Sequence, residues 1–286
     1  MTRIITAPGE LFADCEQARR TGKQVGFVPT MGALHNGHMS LADACRAAGA
    51  EHLVASIFVN PLQFGPSEDF DRYPRTFEAD LALCQARSVD VVYAPGPGEM
   101  YPEGFQTKVV VEDLTKPLEG ACRPNHFSGV TTVVLKLLNA VGPCVAAFGR
   151  KDYQQWRVIE RLALDLNLPI RILGAPIARE SDGLALSSRN RYLSADERRR
   201  ALAIVQGLRA AYDAYHAGER DPARLCALAK DPVDANFDAV DYVRAVEPRT
   251  LLPCAGDSSP PVLLVAARVG TTRLIDNLDL GVDSRP

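Results

Sequence analysis

Near-continuous apolar runs alternate with amphipathic stretches over the first part of the chain. Val25–Thr30 (VGFVPT) reads as a strand feeding a glycine-containing turn, after which Leu41, Ala44, Cys45 and Ala48 keep to one helical face. Leu53–Val59 is an almost unbroken apolar run, the form taken by a parallel strand covered on both faces. A helix over 76–86 and a strand at Val89–Tyr93 follow; then come a helix at Val130–Ala140, a strand at Cys144–Phe148, a helix at Asp152–Leu166 and a strand at Pro169–Leu173. Strand, helix, strand in repetition predicts an α/β fold with a doubly wound, Rossmann-like parallel sheet.

The pattern changes near residue 176. Arg179–Arg191 is polar, and Ala201, Val205, Leu208, Tyr212 and Tyr215 then recur at helical spacing, with Ser194 and Glu197 as a capping box. Ala239–Val246 and Val262–Val269 read as strands, joined by a Pro/Gly/Ser loop at Pro253–Pro261. The expected domains are 1–175, Rossmann-like, and 176–286, a smaller α+β domain. There are no internal repeats.

Composition narrows the function. A 47% hydrophobic share, a net charge of −3 and a pI near 6.0 describe a globular chain with no general attraction to polyanions, which argues against nucleic-acid binding. Seven cysteines without a C-x-x-C pair argue against a disulfide framework or a zinc site. With no secretory leader pattern and no apolar run of membrane-spanning length, the expected location is the cytoplasm, away from membranes.

Chemistry concentrates in three segments and two glutamines. His35-Asn36-Gly37-His38 lies between the first strand and the first helix, where Gly37 permits close approach and the helix start favours phosphate. Both imidazoles can donate to charge building up at an α-phosphorus. Gly149-Arg150-Lys151-Asp152 follows another strand's carboxyl end; Lys151 suits phosphates and Asp152 ribose hydroxyls. Ser187-Ser188-Arg189, after Leu186, combines two hydroxyls with a guanidinium as a phosphate clamp. The amides of Gln63 and Gln155 suit a hydroxyl or carboxylate better than a phosphate.

In order along the chain, the segments PTMGALHNGH (29–38), SIFVNPLQF (56–64), HFSGVTTVVLKLLN (126–139), FGRKDYQQ (148–155), DGLALSSRNRYL (182–193) and AARVGTTRLIDN (266–277) resemble the pantothenate synthetase (pantoate–β-alanine ligase) family over nearly the whole length. The H-x-G-H segment is also similar to that of the wider nucleotidyltransferase superfamily. The resemblance implies a Rossmann-like domain with a smaller C-terminal lid, a homodimer, and a Mg²⁺-dependent reaction of pantoate, β-alanine and ATP. It implies ATP contacts at Met31, Gly32, His35, Gly37, His38, Gly149, Lys151, Asp152, Ala178, Leu186, Ser187, Ser188 and Arg189, with His38, His35 and Lys151 catalytic. Pantoate and β-alanine fall to Gln63, Gln155, Asn60 and Arg123, and Asp80 is a protein contact to the metal. Two positions depart from the family pattern: Arg150 replaces a common Glu, and Ala178 a Val or Met. Arg150 is expected to face solvent, since Lys151 takes the inward direction. Rival readings are another adenylyl- or cytidylyltransferase, argued against by the paired glutamines, and a non-catalytic nucleotide-binding regulator, argued against by intact His35, His38 and Lys151.

Overall fold

The structure is a computed structural model describing residues 1–66, 68–254 and 259–286. The middle of the loop read at 253–261 lies outside the described residues. Two units emerge: residues 1–150 with 154–175, and residues 151–153 with 176–286.

The first unit runs β1 (Arg3–Ile5), α1 (Pro8–Arg20), β2 (Val25–Thr30), α2 (Asn36–Ala47), β3 (His52–Ile57), α3 (Phe77–Ala86), β4 (Val91–Tyr93), the short α4 (Pro97–Met100) and α5 (Glu119–Cys122), α6 (His126–Val141), β5 (Cys144–Gly149), α7 (Tyr153–Asp165) and β6 (Ile170–Ala175). Its strands form one sheet in the order β1-β4-β3-β2-β5-β6, every pair parallel. Strand order reverses between β2 and β5, the topological switch point where such sheets open to ligand at their carboxyl ends. Pairing between β2 and β5 joins Gly26 to Val145 and Phe27 to Ala146, short of the end of β2 at Thr30. The His-rich segment follows β2 and the Gly-Arg-Lys-Asp segment follows β5, so both motifs leave strands that flank this point.

β1 and α1 were not legible in the apolar runs. β1 is only three residues long, below what period-2 alternation resolves. α1 is announced by Pro8 in its first turn, Glu10 early and Arg19 and Arg20 late, as the helix dipole favours, and it buries Leu11, Cys15 and Ala18.

The second unit contains α8 (Ala195–Ala201), α9 (Ala203–His216), α10 (Pro222–Asn236) and an antiparallel sheet of β7 (Ala239–Val246), β8 (Val262–Val269) and β9 (Thr272–Asp279), in that order. The Ser194–Glu197 capping box is present, with the Glu197 amide donating to Ser194 Oγ at 3.2 Å and Glu197 Oε2 accepting from the Ser194 amide at 2.8 Å. The single helix expected after it is two, divided at Leu202, whose amide bonds three residues back to Arg199. α10 accommodates Pro232 within it. β9 is missing from the apolar pattern because two of its buried positions are Asp276 and Asn277, which an alternation of apolar and polar residues cannot reveal.

Candidate active site

The turn after β2 is fixed by the chain around it. Thr30 Oγ1 donates to the Ser56 carbonyl on β3 at 2.6 Å and accepts from the Gly32 amide at 3.1 Å. Gly32 has φ +83°, and a Cβ there would lie 3.0 Å from Asp80 Oδ2 and 3.1 Å from Ile57 Cγ2, so glycine suits both the conformation and the space. Asp80 on α3 is 2% exposed; its Oδ2 accepts from the Ala33 amide at 2.9 Å and its Oδ1 from the Leu34 amide at 2.8 Å and Thr76 Oγ1 at 3.1 Å. This carboxylate, expected as a metal contact, accepts at both oxygens from the loop that carries Met31 to Leu34.

His35 and His38 cap α2 reciprocally. His35 Nδ1 accepts from the Gly37 amide at 3.1 Å, and His38 Nδ1 accepts from the His35 amide at 3.3 Å. The rings lie 4.1 Å apart between centroids. A nitrogen that accepts carries no proton, so in the neutral ring each proton sits on Nε2. Capping therefore sets the tautomer, and it makes Nε2–H the donor each ring offers.

A second cluster lies at the end of β3. Tyr101 donates to Asn60 Oδ1 at 2.7 Å. Asn60 Nδ2 in turn donates to Gln63 Oε1 at 3.0 Å and to the Gly129 carbonyl on α6 at 3.1 Å. With its oxygen so engaged, Gln63 directs Nε2 toward Met31 Sδ, 3.0 Å away. Thioether sulfur is a weak acceptor, readily exchanged for a better one. Asn60, Gln63 and Met31 thus form one connected group within the first unit.

Arg123 belongs beneath this group. It forks onto Glu68 at 2.7 and 2.6 Å, and its Nη1 donates to His126 Nε2 at 3.0 Å. His126 Nδ1 donates to the Gln63 carbonyl at 2.8 Å. Burial, with the neighbouring Arg123 charge, pulls the His126 pKa down to about 4, so the ring is neutral with its proton on Nδ1. Burial pushes Glu68 upward, but the Arg123 pairing outweighs it and holds the carboxyl below its usual range. The remaining acid-binding candidate, Gln155, is half-buried in the first turn of α7.

Gly149 ends β5. Arg150, expected to face solvent, is buried at 8% exposure; it opens the 3-10 turn Arg150–Asp152 that follows β5. Lys151 and Asp152 belong to the second unit, where the Lys151 carbonyl accepts from Asn277 Nδ2 at 2.8 Å. In that unit the Leu186 amide donates to the Ala178 carbonyl at 2.9 Å, and Arg179 bridges Ala185, which makes a small hairpin. The hairpin delivers Ser187, whose Oγ accepts from the Arg189 amide at 3.2 Å and caps the turn Ser188–Tyr192.

The sequence reading passed over Tyr101, Glu68 and His126 as individual site residues. Tyr101 gives no local signal, being one tyrosine in a polar loop; His126 was visible only as the first residue of a family-like segment.

The pantoate-beta-alanine ligase family model matches residues 3–279. Over 275 residues the chain is 52% identical to the pantothenate synthetase of Syntrophotalea carbinolica, covering 96% of this chain and 97% of that one. It is 51% identical over 284 residues to pantothenate synthetase 1 of Bradyrhizobium diazoefficiens, covering 97% and 98%. The crystal structure of pantothenate synthetase from Thermus thermophilus superposes with a TM-score of 0.91 at 45% identity, covering 97% of this chain and 99% of that one. The pantoate-beta-alanine ligase of Francisella tularensis, complexed with beta-gamma ATP and beta-alanine, gives a TM-score of 0.81 at 30% identity, with 99% of each chain covered.

Proposed function

The chain belongs to the pantoate-beta-alanine ligase family and is an enzyme of that class; from that premise we propose that it condenses (R)-pantoate with β-alanine through a pantoyl-adenylate, releasing pyrophosphate and then AMP. The observation that carries this reading is the 3.0 Å contact between Met31, in the nucleotide-type turn, and Gln63, the amide suited to an acid. On this reading the amide assigned to the acid lies beside the segment assigned to ATP, as direct attack on the α-phosphate requires.

In the first step a pantoate carboxylate oxygen bonds to the α-phosphorus, and the bond to the bridging oxygen of the β-phosphate breaks. Gln63 Nε2–H, aimed by Asn60, holds the acid, and Gln155 supplies a second amide. The Nε2–H groups of His35 and His38 donate to the charge developing on phosphate oxygens. Gly32, Gly37 and Gly149 leave room for the nucleotide's close approach, and Ala178 and Leu186 meet its base. Lys151 and the Ser187-Ser188-Arg189 turn neutralise the departing pyrophosphate, while Asp152 accepts from ribose. In the second step the β-alanine amine attacks the acyl carbon, and the carboxylate oxygen bonded to phosphorus departs with AMP. Arg123, forked onto Glu68, serves by holding Gln63 rather than by meeting substrate.

Mg²⁺ accompanying the nucleotide would be held chiefly by phosphate oxygens and would supply neutralisation of their charge, with no dedicated protein cage required. The engaged oxygens of Asp80 fit this arrangement. A cytoplasmic homodimer completes the reading. Among the described residues, no helix is long and apolar enough to cross a membrane.

The test follows oxygen. Pantoate labelled with heavy oxygen in its carboxylate, incubated with ATP and β-alanine, is expected to deliver label to AMP and none to pyrophosphate. ADP as product, or AMP without label, would sink the adenylate route.

A further inference from the structure

Asp276 and Asn277 are adjacent on β9, 3% and 1% exposed, and project from opposite sides of the strand. Buried polar residues of this kind depend on the partners that meet them. Asp276 receives Arg179 through two bonds, Nη1 to Oδ2 at 2.7 Å and Nη2 to Oδ1 at 3.1 Å. Arg179 Nη1 also reaches the Gly183 carbonyl at 3.1 Å, so this one guanidinium ties the turn of the 178–186 hairpin to β9. Asn277 Nδ2 meets the Lys151 carbonyl at 2.8 Å.

We propose that this Asp276-Asn277 pair is a positioning device for the nucleotide. One rigid strand sets the hairpin that delivers Ser187, Ser188 and Arg189 and, one residue later, the backbone from which Lys151 projects. The proposal rests on the phosphate-binding reading of those four residues. Its physical basis is that a forked pair and an amide–carbonyl bond fix direction as well as distance, and β8 pairs β9 along its length, from Val262–Asp279 to Val269–Thr272. A spacing error at either anchor misplaces cations against a triphosphate and leaves the Gln63 amide untouched.

Asn277→Leu removes the donor at near-constant size. ATP affinity by calorimetric titration, the two Michaelis constants, kcat and the melting temperature are measured for it and for wild type. The expected result is a fall of about tenfold or more in ATP affinity and in kcat/KM for ATP, with the pantoate KM within about twofold of wild type. If Asn277→Leu does not fold, Arg179→Lys, which keeps the charge without the fork, carries the same test. Unchanged ATP dependence in a folded variant overturns the proposal, and so does an equal loss for both substrates, which marks a purely structural role. Wild type that binds ATP yet forms no AMP from the three substrates would defeat the ligase mechanism instead, leaving the ATP-affinity comparison to decide this proposal.

Discussion

Asn60 determines which way Gln63 faces: Asn60 Nδ2 donates to Gln63 Oε1 at 3.0 Å, and Gln63 Nε2 is left pointing at Met31 Sδ. Asn60 is itself oriented by Tyr101, whose hydroxyl supplies the 2.7 Å bond to Oδ1. Burial holds the Tyr101 proton well above its ordinary range, so the hydroxyl remains a donor throughout the working pH range.

Tyr101→Phe should therefore loosen the Gln63 amide without touching the nucleotide turn. Asn60 Oδ1 keeps only the longer bond from the Leu62 amide, 3.3 Å. The expected effect is a rise of about tenfold in the pantoate KM, the equivalent of one lost hydrogen bond near ~1.4 kcal/mol, with the ATP KM unchanged. Steady-state kinetics with each substrate varied in turn decides it; a shift confined to ATP would show that Gln63 does not hold the acid.

Gly129→Ala should disturb the same group from below. A Cβ at Gly129 would fall 2.2 Å from the Leu62 carbonyl oxygen and 2.6 Å from the Gln63 amide nitrogen, both backbone atoms. Either α6 or the Asn60–Gln63 turn must move, at a cost of about 1–3 kcal/mol or more. Gly98→Ala, where a Cβ meets nothing within 4 Å, is the control. Denaturant unfolding together with the pantoate KM should separate the two variants, and equal stability would mean that the turn yields freely.

His38→Ala removes both a donor and part of the α2 cap. Loss of the cap costs about 1 kcal/mol, whereas loss of one donor to developing charge costs on the order of 10²–10³ in turnover. A variant that unfolds only slightly earlier yet turns over near the wild-type rate would place the chemistry elsewhere.

His126 gives stability a pH dependence. Its folded pKa of about 4 lies below the ordinary 6.5, so as pH falls the unfolded chain takes up a proton first. This contribution is complete above about 6.5 and is lost as pH falls toward about 4. The total involved is at most about 3.4 kcal/mol. Replacing His126 with Gln should flatten that part of the curve in urea unfolding between pH 7 and pH 5. An unaltered slope would assign the acid sensitivity to other groups.

The α/β class and the motif-bearing strand ends were legible along the chain, because both depend on local pattern. Val25–Thr30 and Cys144–Gly149 are apolar since each is covered on two faces, and the His35–His38 segment carries its own helix start. What the linear order cannot contain is partnership between distant residues. Asp80 reads as one acid on a helix until the fold brings it to amides 46 and 47 positions away. Arg123 reads as one arginine in a loop until Glu68, 55 positions earlier, accepts its fork. Asp276 and Asn277 read only as the end of a family-like segment until Arg179 and the Lys151 carbonyl meet them. Periodicity records whether a position faces water or the interior. Only the tertiary structure decides which buried polar group meets which, because a hydrogen bond depends on distances through space that the order of residues does not express.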